Sequence, residues 1–226
     1  MFAGHFAAAF LAAGTSRRAP SLPTLFVGAQ LVDWAFFSFA IFGIERMRIE
    51  PGITAMNPLD LYFMPYTHSL LGTLAWGSLF AIYLVARNRD MVSAFIGFLV
   101  VLSHWLLDFL THIPDLTFAG GEPKIGLGLW NLPWVAIPLE LGLIVGSAVF
   151  YMRRTKGPVA PPLIFLALLL AMQAVNWLGP EPEAADAGFY ATALVAFLVP
   201  TLVAAWVAST RWHKREVGLA VPSPRR

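Results

Sequence analysis

Cysteine is absent from all 226 residues. That excludes a disulfide framework, a thiolate metal site and a cysteine nucleophile. Charge is scarce as well: Asp, Glu, Lys and Arg make up 12% of the chain, against about 25% in a soluble domain. The formal net charge is only +2, which gives no basic surface for nucleic acid, so no nucleic-acid partner is expected. No Gly/Ser linker, composition break or internal repeat divides the chain, so it reads as a single domain.

What remains is hydrophobic. Apolar residues make up 58% of the chain, and they gather into runs long enough to cross a hydrocarbon core roughly 30 Å thick, which takes about 20 helical residues. Six such runs lie near 22–44, 67–86, 91–111, 132–152, 159–179 and 189–210. They end at Glu45/Arg46, Arg87, His112/Pro114, Arg153/Arg154, Gly179/Pro180 and Arg211. The piece at 2–13 is apolar but short, about 18 Å at 1.5 Å per residue. Its AFLAAG stretch resembles the cleavage end of a secretory leader, yet it has no basic leading region, a His interrupts it, and Arg17 and Arg18 follow its apolar part. It reads instead as a half-spanning helix packed inside the bundle. The expected fold is all-α: a polytopic transmembrane helical bundle with six full spans plus a short N-terminal membrane helix. Residues 1–210 form that domain, and 211–226 form a basic tail expected to be cytoplasmic and disordered.

The charges sort by side. Arg17, Arg18, Arg87, Arg89, Arg153, Arg154, Lys156 and the basic tail hold 12 of the 15 Lys and Arg. The alternate loops hold Arg46, Arg48 and Lys124 and most loop acids, including Glu45, Asp60, Asp115, Glu122 and Asp186. The positive-inside rule puts the basic side, with the C-terminus, in the cytoplasm. The loops 45–66, 112–131 and 180–188 then face outward.

Ionisable groups inside the spans are the strongest functional signal. Each costs about 2.5–3.5 kcal/mol near a helix centre on insertion scales. Asp33 interrupts LVDWAFF, His104 and Asp108 lie in VVLSHWLLDFLTH, Glu140 lies in IPLELGL, His68 opens PYTHSLLG, and His5 sits in the short N-terminal segment. His104, Asp108 and His112 recur at i, i+4 and i+8, so all three project from one helix face, each about 40° from the last. His104 and His112 are about 12 Å apart along the axis and cannot share one small ion. His104 and Asp108 can, since i,i+4 neighbours lie within about 6 Å. His112 reads as a supporting or helix-end residue.

Imidazole nitrogen and carboxylate oxygen suit a divalent metal such as zinc, iron or manganese. His5, Asp33, His68, His104 and Asp108 offer five ligands from four segments, enough for one or two ions, zinc foremost. A dication would also neutralise Asp33 and Asp108 at depth. Glu140 and Asp115 are the candidate general bases; Glu140 alternatively makes a helix–helix hydrogen bond beside a Pro138 kink. Of the outward loops, GITAMNPLDLYFMPYTHS reads as a short interfacial helix and HIPDLTFAGGEPKIGLGLWNLP as irregular chain. Both are placed to cover the mouth of the cluster.

GHFAAAF with His5, LVDW with Asp33, YTHSLLG with His68 and SHWLLDFLTH with His104 and Asp108 together resemble a bacterial family, the LexA-regulated, inner-membrane, predicted metal-dependent hydrolases. The resemblance spans about residues 1–115, and THS and HxxxD are its most specific parts. The family is in turn distantly similar to zinc-dependent phospholipase C and the related single-strand nucleases, whose His/Asp clusters hold several zinc ions. The resemblance therefore implies a metal-dependent phosphoester hydrolase, with membrane lipid around it and a small-molecule or lipid substrate. The chain departs from the commoner pattern, since Asp33 stands alone and MPY precedes THS. Two other classes use the same residues: a transporter or ion/proton channel with a His/Asp relay, and a structural membrane protein whose polar groups serve packing.

Overall fold

The computed structural model describes residues 1–214. It is an all-α membrane protein with two small β-ribbons. Five helices are each long and apolar enough to cross a bilayer: α4 (Leu70–Asn88), α5 (Met91–Thr111), α6 (Pro133–Arg154), α7 (Ala160–Leu178) and α8 (Ala187–Ser209). The expected first span is broken into α2 (Leu22–Ala29) and α3 (Leu31–Ile41), which meet at a bend of 53°. Among the described residues the count is therefore five unbroken spans, or six with the bent pair taken as one.

The break falls at Gln30, whose backbone leaves the helical region at φ −111°, ψ 12°. Irregular backbone at membrane depth survives only where protein satisfies its polar groups. Here the Ala29 carbonyl accepts a hydrogen bond from the His104 ring at 2.8 Å, and the fully buried Gln30 side chain donates to the Phe2 carbonyl at 3.2 Å.

The N-terminal piece is a buried turn and helix. A 3₁₀ turn at Ala3–His5 leads into α1 (Phe6–Thr15). Lipid tails are as apolar as a leucine side chain, so helices associate in membranes by close packing, which small residues allow. Ala7, Ala9, Ala13 and Gly14 give α1 that property, and all are buried, as is Ala3 in the turn before it. Its Phe6 and Phe10 pack on Phe26 of α2, with ring centroids 4.5 and 5.1 Å apart, and Phe26 packs on Phe165 of α7 at 5.2 Å. The same device joins α4 to α5, where Gly77 faces Phe98 and Gly97 faces Phe80 and Leu84.

The basic residues meet at one end. Arg18 binds Asp90 at 2.6 Å, Arg17 donates to the Lys214 carbonyl and Arg154 to that of Gly14. Arg18 holds the Asp90 carboxyl at about 2, below its usual value, while Asp90 also caps α5 by accepting from Val92 and Ser93. Residues 211–214 of the expected disordered tail are ordered: Trp212–His213 (β4) pairs antiparallel with Thr155–Lys156 (β3), and Arg211 donates to Thr155 and to the carbonyls of Pro158 and Met152. The rest of that tail, 215–226, lies outside the described residues.

The opposite end carries the longer loops. The interfacial helix expected in GITAMNPLDLYFMPYTHS is instead a strand, Leu59–Phe63 (β2), paired antiparallel with Arg46–Ile49 (β1). The physical reason is local. Pro51 and Gly52 turn the chain, with Gly52 at φ +82°, and period-2 patterning then places Met47 and Leu61 inward beneath the ribbon. Arg48 meets Asp60 across it at 2.7 Å. The second loop is irregular as expected. It folds back over the end of α5 through Leu127 N–H to the Phe109 carbonyl, Gly128 N–H to the His112 carbonyl, and a bridge between Leu116 and Ile125.

Candidate metal centre

The five side chains singled out as ligands converge. His5, His104 and Asp108 form one group whose ligand atoms all lie within 4.8 Å of one another, and Asp33, His68 and His104 form a second on the same criterion. His104 belongs to both. Its Nε2 stands 3.0 Å from Asp108 Oδ2 and 3.5 Å from Asp33 Oδ1. His68 Nε2 is 3.2 Å from Asp33 Oδ1, and His5 Nε2 is 3.0 Å from Asp108 Oδ1. Four elements supply these groups: the N-terminal turn, α3, the approach to α4, and α5.

His112 joins them from the end of α5. Its Nε2 lies 3.3 Å from Asp108 Oδ1, so Asp108 stands between His104 on one oxygen and His112 on the other. This agrees with the axial spacing, which keeps the two imidazoles off a single ion. It also brings His112 closer to the cluster than a merely supporting residue. Trp130 stacks on its ring at 4.2 Å.

The outer nitrogens fix which atoms face inward. A metal-ligating histidine characteristically donates its second ring N–H to a carbonyl or carboxylate, which sets the tautomer. His104 Nδ1 is matched to the Ala29 carbonyl at 2.8 Å, and His112 Nδ1 to Asp115 at 3.0 Å. His68 Nδ1 lies 2.9 Å from the Thr67 hydroxyl, whose own proton goes to Glu45 at 2.6 Å, so the hydroxyl accepts from the ring. In all three histidines Nε2 is left facing the two aspartates.

Lone pairs of imidazole facing carboxylate oxygens at 3.0–3.5 Å repel unless positive charge lies between them. His5 Nε2, His104 Nε2 and Asp108 Oδ2 are buried without a hydrogen-bond partner, although buried polar groups are nearly always paired. A tetrahedral cation with bonds of about 2.0–2.2 Å would hold its ligand atoms roughly 3.4 Å apart, close to these spacings. The donor set thus fits a divalent metal.

The THS triplet divides the local work. Thr67 takes its proton and backbone N–H to Glu45, His68 faces Asp33, and Ser69 caps α4 by accepting from the Gly72 N–H. Glu45 also accepts from the Tyr66 N–H and is buried. It anchors the turn that presents His68.

The two expected general bases each hold a neighbouring residue. Glu140 lines the cavity beside the cluster but belongs to neither ligand group. One of its oxygens accepts from the Gly4 N–H at 2.9 Å and the other from Gln173 at 3.3 Å. Gln173 in turn accepts from the Ala3 N–H at 3.0 Å. Glu140 and Gln173 therefore join two helices and hold the turn that carries His5, while Glu140 also lines the cavity. Asp115 sits behind His112, away from the cavity lining, and orients that ring. Sequence reasoning passed over Glu45, Thr67 as a contributor of its own, Gln30 and Gln173. The two glutamines carried a visible signal, since each is an amide in an otherwise apolar run, Gln173 with Asn176 beside it.

A cavity of about 640 Å³ opens onto the cluster. His5, Asp33, His68, Asp108 and His112 lie at its polar end, with Phe36, Phe37 and Phe197 beside them. Of the aspartates, Asp33 is the more open, with 17% of its side chain exposed against 2% for Asp108. Met56, Asn57, Leu59 and Leu61 of the ribbon loop and Trp130 of the second loop form its outer walls, as expected of loops over the mouth. No family model matches the chain, and neither a curated protein nor a solved structure is similar to it.

Proposed function

We propose that this chain is a membrane-embedded, metal-dependent hydrolase acting on a phosphoester or lipid-linked substrate at the outer leaflet of a bacterial inner membrane, with its C-terminus cytoplasmic. The carrying observation is the inward convergence of Nε2 atoms from His5, His68, His104 and His112 on Asp33 and Asp108. The resemblance of the His5, Asp33, THS and HxxxD motifs to the inner-membrane predicted hydrolases supports the reaction class. The basic end, where Arg17, Arg18 and Arg154 meet, supports the orientation by the positive-inside rule.

His5, Asp33, His68, His104 and Asp108 would hold one or two divalent ions, zinc foremost. Such an ion, when bound, lowers the pKa of water to about 7 and polarises a phosphoryl oxygen. The chain's own groups do the rest. Asp33, the more open aspartate, faces the substrate space. His112 lines the same cavity, and Asp115 at 3.0 Å from Nδ1 orients the ring so that Nε2 faces Asp108.

A proton- or ion-conducting relay uses the same groups. It is favoured by the chain of contacts from Glu45 through Thr67 and His68 to Asp33. Metal analysis of detergent-purified protein separates the two readings. Stoichiometric zinc, iron or manganese, lost in a His104→Ala, Asp108→Ala double variant, is the expected result. Metal-free protein that carries proton flux in liposomes would overturn the hydrolase reading.

A further inference from the structure

The cavity is bounded on one side by two membrane-spanning helices. Ala171, Met172 and Val175 of α7 and Thr192, Ala193 and Ala196 of α8 line it. Ala171, Val175 and Thr192 of this wall are also exposed, Val175 to 69%. A residue that both lines a cavity and faces outward lies at an opening. In a spanning helix that outside is hydrocarbon. The seam between α7 and α8 is the place where the cavity would meet the lipid.

The remaining lining fits the same guest. Phe36, Phe37, Phe189 and Phe197 also line the cavity, and among the described residues no Lys or Arg lines it. An anionic group in this space has positive charge only at the cluster end. A volume of about 640 Å³ falls in the range of about 300–1,000 Å³ usual for small-molecule sites. It admits a headgroup together with the first part of one chain.

We propose that the substrate is a membrane lipid that reaches the cluster sideways, its headgroup at Asp33 and a hydrocarbon chain lying in the seam between α7 and α8. This rests on reading the cluster as the reacting centre for the headgroup, whereas the chain's path rests on the cavity walls alone. A water-soluble substrate arriving from the loops, past Met56, Asn57 and Pro182, is the competing route.

The absence of cysteine makes a clean test. Ala193→Cys or Ala196→Cys introduces a unique thiol that is modified, after folding, with a bulky maleimide. The protein is reconstituted in vesicles of phosphatidylethanolamine and phosphatidylglycerol carrying a few per cent of a phospholipid with a diazirine in its acyl chain. Irradiation is expected to label Met172 and Phe189 as well as the outward-facing Ile164 and Leu202. Maleimide modification should cut the labelling of Met172 and Phe189 at least fivefold and leave that of Ile164 and Leu202 unchanged. Labels confined to outward positions, or inward labels indifferent to the maleimide, would overturn the seam. Turnover of bis(p-nitrophenyl) phosphate is read on the same samples. Turnover without inward labelling sinks the seam but not the hydrolase, and inward labelling without metal or turnover does the reverse.

Discussion

Thr67 donates its hydroxyl proton to Glu45 at 2.6 Å, and this bond decides which nitrogen of His68 faces Asp33. With the proton committed to Glu45, the hydroxyl can only accept from His68 Nδ1, leaving Nε2 as a lone pair toward the cluster. The histidine itself, one residue along, has no local means of choosing its tautomer.

Replacing Thr67 tests that arrangement. Thr67→Val keeps the shape and removes the acceptor, so metal affinity should fall about 10–100-fold, the usual cost of losing an outer-shell partner. Thr67→Ser should restore most of it. Chelator competition on detergent-purified protein reads the affinity. An unchanged affinity in Thr67→Val would show that His68 is not a ligand through Nε2.

Glu140 offers a sharper choice between two roles. If it positions His5 by holding Gly4, Glu140→Gln should lower stability by about 1–3 kcal/mol, the cost of a disturbed buried polar group. Turnover at saturating metal should then fall less than tenfold. A general base would instead lose about 10²–10⁴-fold. Thermal unfolding and kcat measured on one preparation decide it.

Gly126 gives a remote handle on His112. A Cβ there would press into the backbone carbonyls of His112 and Ile113, which have no flexible end to move aside. Gly126→Ala should therefore shift the turn after α5 and cost about 1–3 kcal/mol, as overpacking does. Gly121→Ala, where a Cβ meets nothing within 4 Å, is the control and should leave stability within about 0.5 kcal/mol. Equal melting temperatures for the two variants would show that the loop yields without moving His112.

Much of the site could be read before any coordinates. An ionisable group in an apolar span is costly enough to announce itself, and the i,i+4 spacing of His104 and Asp108 on one rigid helix already dictates their pairing. The convergence of His5 and Asp33 could be expected only from compatible depths. What escaped notice lay where spacing along one element carries no distance. The link from Glu45 to Thr67 crosses 22 positions, and that from Gly4 to Glu140 crosses 136. The β-ribbon was misjudged because aromatic, half-apolar loop segments suit either an interfacial helix or a strand, and its partner strand lies on the far side of a turn.

Sequence alone determined that this chain lives in a bilayer, how its apolar runs divide it, and which charges gather at each end, because these follow from transfer energies summed over neighbouring residues. Only the tertiary structure decided that the first span breaks at Gln30, that Glu140 holds the turn carrying His5, and that His5, Asp33 and His68 meet the pair of His104 and Asp108. Those outcomes depend on directions in space, set by how bent and crossing helices satisfy buried polar atoms together, and no single segment contains them.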